Sequence, residues 1–241
     1  MEQIYTIPVT EAVDASVTDP KCGCPVCTMS RRLEYRQLEL ILGPSMMEPA
    51  IRQMTNREGF CLDHYRKLLT RKNRLGVALI LESHLLTLLD DMEDPSLAAL
   101  TGKRGDRAVS RIGELEGSCY LCSRIEESLS RMIDTFVLLW HSDPDFRRKV
   151  EAQPHFCLPH YRRLLTVGKQ KLSKKEYQTF LDTLTAIEKP YLNKLREDVS
   201  WFCKKYDYRY GDEPWYDAKD SIERTVATLH AQEGRDPEHD R

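Results

Sequence analysis

The chain has 241 residues, of which 41% are hydrophobic and 31% charged, and its formal net charge is −2. This composition is typical of a globular protein with one large domain or two small ones. The nearly neutral charge gives no reason to expect nucleic acid or an anionic membrane as a partner. The stretch from Met1 to Pro20 has neither a basic n-region nor an apolar h-region, so we expect no secretory signal, and no apolar run is long enough to span a membrane. We therefore expect a cytoplasmic protein.

Residues 1–21 are predicted to form an N-terminal arm. Its stretch Ile4 to Val9 suits a short extended segment, which Pro8 restricts to a sheet edge or an irregular strand. The following residues, Asp14 to Lys21, are predicted to form a loop.

A first sequence module begins at the Cys24-Pro25-Val26-Cys27 motif. Apolar residues at helical spacing predict a helix over about Thr28 to Leu42, which Gly43 and Pro44 end. A second helix is predicted over about Met46 to Arg57. The module closes with the sequence FCLDHYRKLL, residues 60–69, which begins a third helix.

A further helix is predicted from Leu75 to Met92, and six apolar residues at helical spacing define its expected core face. They are Ala78, Leu81, Leu85, Leu88, Leu89 and Met92. His84 lies beside this face, and we interpret it as a structural histidine rather than a functional one. Residues 94–116 contain several glycines and charges and are predicted to be a linker, with a short helix near Ser96 to Leu100.

The module then occurs a second time. Cys119-Tyr120-Leu121-Cys122 opens it, Ser123 to His141 follows as an amphipathic helix, and FCLPHYRRLL, residues 156–165, closes it. A long helix from about Tyr177 to Phe202 follows, with Pro190 as an expected kink. Ser221 to Leu229 is predicted to be the closing helix, and the polar residues after it an irregular tail.

Each copy supplies three cysteines and one histidine as two short-spaced pairs, as closed four-ligand zinc sites do. The gap between the pairs is 33 residues in the first copy and 34 in the second. In the first copy the two predicted helices run about 22 Å outward and roughly 18 Å back, so we expect each copy to close its own metal site. The predicted ligands are Cys24, Cys27, Cys61 and His64 in the first copy, and Cys119, Cys122, Cys157 and His160 in the second.

Three thiolates and one imidazole favour zinc, so two zinc ions per chain are expected. An iron–sulfur cluster is the alternative occupant. Haem attachment is disfavoured because Thr28 and Ser123 follow the CxxC motifs where a histidine is required. A closed tetrahedral site leaves no coordination position for substrate, which indicates structural metals; an opened site would allow Lewis-acid chemistry.

The stretch around residues 201–216 is dense in aromatic and charged residues. Aromatic side chains near a chain end most often fill a core, and the alternative is a binding pocket. The candidate pocket residues are Trp201, Cys203, Tyr206, Tyr208, Arg209 and Trp215. Because Val199 and Phe202 indicate a core-facing helix, we expect Cys203 to be buried and slow to alkylate. Cys22 and His155 have no counterpart in the other copy and are left out of the ligand set.

Several of these motifs together resemble a family of uncharacterised proteins from anaerobic Gram-positive bacteria. The resemblance rests on the N-terminal stretch IYTIPV, on CPVC, on both FCLxHYR motifs, and on WFCKKYDYR followed by DEPW. It covers nearly the whole chain and implies the duplicated metal-binding helical fold. It brings no established activity.

The sequence thus predicts an all-α protein of two metal-stapled helical modules packed as one body. The boundaries are an arm at 1–21, modules at 22–93 and 117–204 with a linker at 94–116, and a C-terminal segment at 205–241. The expected function is a binding or adaptor module for an unknown protein or small molecule. The alternative is a thiol- or metal-dependent enzyme with its site near Cys203.

Overall fold

The computed structural model describes residues 5–19, 22–93 and 104–231, and in these residues it is all-helical. Eleven α-helices lie in this part of the chain. They are α1 (Thr6–Thr18), α2 (Pro25–Leu42), α3 (Pro49–Glu58), α4 (Leu62–Thr70), α5 (Arg74–Glu93), α6 (Arg104–Gly117), α7 (Tyr120–Ser142), α8 (Pro144–Glu151), α9 (Leu158–Lys171), α10 (Lys174–Lys204) and α11 (Ser221–His230). Within these ranges, no helix is both long and apolar enough to cross a membrane.

The helices form two compact units. The terminal unit comprises Met1–Arg32 and Leu129–Arg241, and the central unit comprises Leu33–Ser128. Both divisions fall inside a helix, at α2 and α7. Each unit therefore combines part of one sequence module with part of the other, a division that differs from the modules 22–93 and 117–204 proposed from sequence.

The N-terminal arm is helical over Thr6–Thr18, so the predicted extended segment and loop are wrong over these residues; Ile4, Pro20 and Lys21 lie outside the described residues. Val9, Ala12, Val13 and Ser16 are buried and share one face of α1. Pro8 is compatible with this helix because it lies in the first turn, where its missing N–H has no helical partner. The amide of Gln153 donates to the carbonyl of Val13 at 2.9 Å, which connects α1 to the end of α8.

The terminal unit has an aromatic core formed by α7 to α10. Phe136 meets Phe146 and Phe156 edge-to-face, with ring centroids 5.2 and 6.3 Å apart, and Trp140 meets Phe180 at 4.8 Å. The predicted helix Ser123 to His141 is confirmed within α7. The long C-terminal helix is also confirmed, and it continues through Pro190 as part of the 31-residue α10.

The central unit packs its core between α2, α3, α4, α5 and the start of α7. The buried apolar residues of this core are Leu38, Ile41, Leu42, Phe60, Leu68, Val77, Ile80, Cys119, Tyr120, Leu121 and Ile125. Gly59 ends α3 with a φ of 60°, a conformation that favours glycine. Its carbonyl accepts a hydrogen bond from the Tyr120 N–H at 3.0 Å, so the approaches to α4 and α7 are joined directly.

The predicted core face of α5 is wrong. Val77 and Ile80 are the buried residues of this helix, and α5 packs against α3. The predicted face is instead largely exposed, at 55% for Leu85, 53% for Leu89 and 48% for Met92. The sequence gives no clear periodicity here because apolar residues occur on nearly every side of α5.

Much of the predicted linker 94–116 is helical, because α6 spans Arg104–Gly117. Arg111 fixes this helix to the end of α3 by donating to the carbonyls of Arg57 and Asn56, at 2.8 and 3.1 Å. It also pairs with Asp91 of α5 at 2.8 Å. The short helix predicted near Ser96 to Leu100 lies outside the described residues.

Candidate metal centres

All four ligand motifs occupy the same local structure, the N-terminus of an α-helix. Cys24, Cys61, Cys119 and Cys157 each directly precede the first residue of a helix. Their carbonyls accept the first helical hydrogen bond from the residue four positions later, at 3.2, 3.0, 3.0 and 2.8 Å. The second ligand of each pair follows three residues on and lies on the same side of the first turn. The CxxC and CxxH spacings therefore place both ligand atoms beside a helix N-terminus.

The first centre lies in the terminal unit, where the N-termini of α2 and α9 meet. It consists of Cys24, Cys27, Cys157 and His160, all buried. The Nδ1 atom of His160 lies 3.7, 3.3 and 3.0 Å from the sulfurs of Cys24, Cys27 and Cys157. The sulfurs of Cys27 and Cys157 are 3.6 Å apart.

The second centre lies in the central unit, where the N-termini of α4 and α7 meet. It consists of Cys61, His64, Cys119 and Cys122. The Nδ1 atom of His64 lies 3.2, 3.3 and 3.4 Å from the three sulfurs, in that order. The sulfurs of Cys61 and Cys122 are 3.9 Å apart. Cys119 is buried, Cys61 is partly buried and Cys122 is exposed.

The same eight residues that the sequence singles out thus form two groups of four, but the predicted pairing within each copy is wrong. The CxxC of one copy meets the CxxH of the other in both centres. The outgoing and returning helices are too unequal to close a hairpin: 18 residues in α2 against 10 in α3, or about 27 against about 15 Å. In the second copy the imbalance is larger, with 23 residues in α7 and 8 in α8.

The spacing of the ligand atoms fits a single tetrahedral ion. With zinc–sulfur and zinc–nitrogen bonds of about 2.3 and 2.1 Å, a tetrahedron has sulfur–sulfur edges of about 3.8 Å and sulfur–nitrogen edges of about 3.6 Å. Two sulfur pairs are 3.6 and 3.9 Å apart, and the sulfur–nitrogen distances lie between 3.0 and 3.7 Å, most of them shorter than the ideal edge. In each centre, all four ligand atoms lie within 4.8 Å of one another. Both groups can therefore hold one metal ion each.

Each group also favours a thiolate, which is the form of cysteine that binds metal. In the first centre, hydrogen bonds from Cys157 and Cys24 lower the pKa of Cys27, while burial raises the pKa of Cys24. In the second centre, burial raises the pKa of Cys119, but its hydrogen bond to His64 outweighs this and the pKa falls to about 6.

The histidine of the second centre is held by a carboxylate outside the ligand set. Its Nε2 atom lies 3.2 Å from Glu34 Oε1, and the same oxygen accepts from Lys67 Nζ at 2.5 Å. Burial lowers the pKa of His64, but the contacts with Cys119 and Glu34 raise it to about 10. This arrangement orients Nδ1 toward the sulfurs, as carboxylates behind metal-bound histidines commonly do.

The first centre has a buried carboxylate behind its ligand loop. Glu188 is 3% exposed, and its Oε2 accepts the N–H of Phe156, the residue before Cys157, at 2.9 Å. Its Oε1 has no hydrogen-bond partner in the described part of the chain. Burial raises the pKa of Glu188 to about 7, against the opposing effect of the Phe156 N–H.

Sequence reasoning missed both carboxylates. Glu188 left a signal, because it continues the helical spacing of Phe180 and Leu184 on the apolar face of α10. A glutamate on such a face requires a buried partner. Glu34 has no comparable signal, since it lies among other charged residues of α2.

The candidate residues of the aromatic segment lie outside both centres. Trp201 contacts Tyr210 and Tyr216, with ring centroids 5.9 and 5.5 Å apart, and its Nε1 donates to the carbonyl of Pro214 at 2.9 Å. Phe202 packs against Trp215 at 5.5 Å. These contacts form a small aromatic cluster around the end of α10.

The remaining candidates of this segment are exposed, among them Tyr206, Tyr208 and Arg209. Arg209 pairs with Asp207 at 2.6 Å. Cys203 is also exposed, so the predicted burial of its thiol is wrong. Because consecutive helical residues are turned by about 100°, the packing of Phe202 does not bury its neighbour.

Three residues that the sequence analysis left out of the ligand sets lie outside the two groups. Cys22 is partly buried, and its thiol is 3.8 Å from Asp19. His155 stacks on Tyr191 with ring centroids 4.1 Å apart. His84 has its Nδ1 atom 2.9 Å from the carbonyl oxygen of Asn56, which suits the structural role expected for it.

The described residues therefore define an all-helical protein with two cysteine–histidine centres. A family model described as "Family of unknown function (DUF6062)" matches residues 1–236, and the chain belongs to this family. The resemblance to an uncharacterised family is thereby confirmed. No curated protein and no solved structure gives a significant match to the chain.

The crossed pairing of the motifs predicts how paired cysteine substitutions affect metal content. Cys24→Ser with Cys157→Ser changes one centre only, so the chain should retain about one metal ion. Cys24→Ser with Cys61→Ser damages both centres and should leave almost none. Elemental analysis of the purified variants measures this difference. Pairing within each sequence copy would give the reverse order, with the second double variant retaining the ion.

Glu188 predicts a specific pH dependence of stability. Its carboxyl has a usual pKa of 4.5 and a folded pKa of about 7, so the folded chain binds the extra proton. The contribution of Glu188 to stability therefore falls as pH rises from about 4.5 to about 7. Glu188→Gln, which does not titrate, should gain on the order of 2 kcal/mol relative to the parent between pH 5 and pH 8.

Denaturation of the metal-loaded proteins at both pH values measures this gain. The exposed Glu197→Gln, on the same helix, is the matched control and should show little change. A stability difference between Glu188→Gln and the parent that stays constant with pH would rule out the proposed titration.

Proposed function

We propose that the protein is a zinc-stabilised binding module that presents the exposed side of α5 to a helix of a partner protein. Both zinc ions are structural in this proposal. The exposed apolar face of α5 is the observation that carries the binding function. We also place the protein in the cytoplasm, where a reducing environment keeps metal-binding thiols from forming disulfides.

Zinc is supported by the ligand set and its spacing. Three sulfurs and one nitrogen at tetrahedral distances suit this ion. In an iron–sulfur cluster the cysteines bind different iron atoms, so their sulfurs are separated by the width of the cluster. Four ligand atoms within 4.8 Å of one another favour a single ion instead.

A structural role is supported by the completeness of both ligand sets. Each centre joins the N-termini of two helices that are distant in sequence, and its four ligands fill a tetrahedron. An ion bound in this way has no free position for a substrate. It also stabilises the fold directly, since the unfolded chain has no preformed centre.

The binding surface is supported by the pattern of exposed residues on α5. Leu75, Leu85, Leu86, Leu89 and Met92 have exposures of 70, 55, 59, 53 and 48%. One series of positions on α5, spaced alternately three and four residues apart, contains Leu75, Ala78, Glu82, Leu85, Leu89 and Met92. This is the spacing at which one helix packs along another. Leu86 lies outside this series. Exposed apolar surface of this extent commonly marks an interaction site.

The enzyme alternative rests on the exposed thiol of Cys203. Thiol catalysis also requires a base and a pocket that positions the substrate. Trp201, Phe202 and Trp215 pack on their aromatic neighbours, and Arg209 is engaged with Asp207. We therefore rank the binding module first.

The zinc assignment predicts about two zinc ions per chain, in a colourless protein purified without oxygen. Removal of the ions by a chelator should lower thermal stability sharply, because a structural zinc ion contributes on the order of 10 kcal/mol. Elemental analysis, the visible spectrum and thermal unfolding test these statements. A brown protein with iron and acid-labile sulfide would contradict them.

The binding surface predicts that Leu85→Glu with Leu89→Glu abolishes partner capture without loss of folding, because both side chains are half exposed. Full-length protein and variant are used as baits, and captured proteins are compared by quantitative mass spectrometry. Ile7→Glu, at another exposed apolar position, is the control and should keep the partner.

Analytical ultracentrifugation of the same proteins distinguishes a partner protein from a second copy of the chain. Capture of the same proteins by the double variant and the parent, with circular dichroism unchanged, would show that α5 is not the binding surface. If the parent self-associates and the double variant does not, a second copy of the chain, and not a partner helix, binds the exposed face of α5.

A further inference from the structure

The two centres differ in how far solvent reaches their sulfur atoms. In the first centre the exposures of Cys24, Cys27 and Cys157 are 3, 2 and 1%. In the second centre Cys122 is exposed and Cys61 is partly buried. The two centres have the same ligand types, and they differ in access to solvent.

We propose that the second centre is a peroxide-reactive site, at which oxidation of Cys122 releases the zinc ion while the first centre keeps its own. The inference rests on the proposed function only in that both centres hold zinc. It goes beyond that function by assigning different chemistry to the two ions.

The reaction requires only the thiolates and hydrogen peroxide. The Cys122 sulfur, kept as a thiolate by the ion, attacks one peroxide oxygen. A sulfur–oxygen bond forms, the oxygen–oxygen bond breaks, and hydroxide leaves, so that Cys122 becomes a sulfenic acid.

A second thiolate of the same centre then completes the oxidation. Cys61, with its sulfur 3.9 Å from that of Cys122, or Cys119, attacks the sulfenic sulfur. A sulfur–sulfur bond forms, the sulfur–oxygen bond breaks, and a second hydroxide leaves. Two thiolates have lost two electrons in total, and peroxide has been reduced to two hydroxide ions.

The oxidised centre holds zinc poorly because only His64 and one thiolate remain as ligands. The ion then leaves, and the link between the N-termini of α4 and α7 is lost. Helix α4 and the start of α7 belong to the central unit, which also carries α5. Oxidation should therefore weaken the unit that presents the proposed binding surface.

The separation of the sulfurs does not distinguish the two centres, since Cys27 and Cys157 lie even closer together, at 3.6 Å. Burial does distinguish them. The three cysteines of the first centre are each at most 3% exposed, whereas Cys122 of the second centre is exposed, so peroxide reaches the second centre more readily. Oxidation of cysteine follows thiolate character and exposure.

The test uses the full zinc-loaded chain with Cys22→Ser and Cys203→Ser, which removes the two thiols outside the centres. Hydrogen peroxide is added, and released zinc is followed with a chromogenic chelator. We expect one ion per chain to leave at least about tenfold faster than the other. Peptide mass spectrometry should locate the first disulfide at Cys122, and a sulfenic-acid trap should label Cys122 first.

Cys122→Asp supplies a second line of evidence, because a carboxylate replaces the exposed sulfur as a ligand. In peroxide, this variant should release the zinc ion of its second centre at least about tenfold more slowly than a chain that keeps Cys122. If the Cys122→Asp variant does not bind two ions, the order of cysteine oxidation in the Cys22/Cys203 variant alone tests the inference.

Release of both ions at one rate, or first oxidation at Cys24, Cys27 or Cys157, would overturn the inference. A chain without zinc would overturn the proposed function instead.

Discussion

Four cysteines at helix N-termini form the constraint on which the rest of the structure depends. The carbonyl of each accepts the first hydrogen bond of a helix, so each cysteine lies at the positive end of a helix dipole, where negative charge is favoured. Three sulfurs and an imidazole nitrogen then converge within 4.8 Å of one another, at distances that allow one metal ion to bind. The helices that begin at these points, α2, α4, α7 and α9, carry most of the two cores.

The two centres use the same ligands in different surroundings. All four ligands of the first centre are buried, and behind its ligand loop the buried carboxylate of Glu188 accepts the N–H of Phe156. In the second centre, Glu34 contacts both His64 and Lys67, and the ligand Cys122 is exposed to solvent. A duplicated motif has thus acquired one centre closed to solvent and one open to it.

The four helices that begin at the motifs and the eight metal-binding candidates could be predicted because CxxC and CxxH fix both the ligand positions and the start of a helix. Their pairing could not, because it depends on the relative lengths of α2, α3, α7 and α8 and on tertiary packing. Two other errors have local causes: Pro8 suits the first turn of a helix as well as an edge strand, and α5 is apolar on nearly every side. Glu34 was missed because its role depends on a histidine 30 positions away.

The crossed ligands also determine what a single module can do by itself. Half of the chain contains one CxxC helix and one CxxH helix that do not meet, so it holds two ligands of each centre and completes neither. Two separate half-chains would have to associate before either ion could bind with four ligands. Association would then depend on the metal ion, and metal binding on association. In the intact chain the two halves are covalently linked and therefore always present in equal amounts. For the same reason, the effective concentration of one half around the other does not change on dilution.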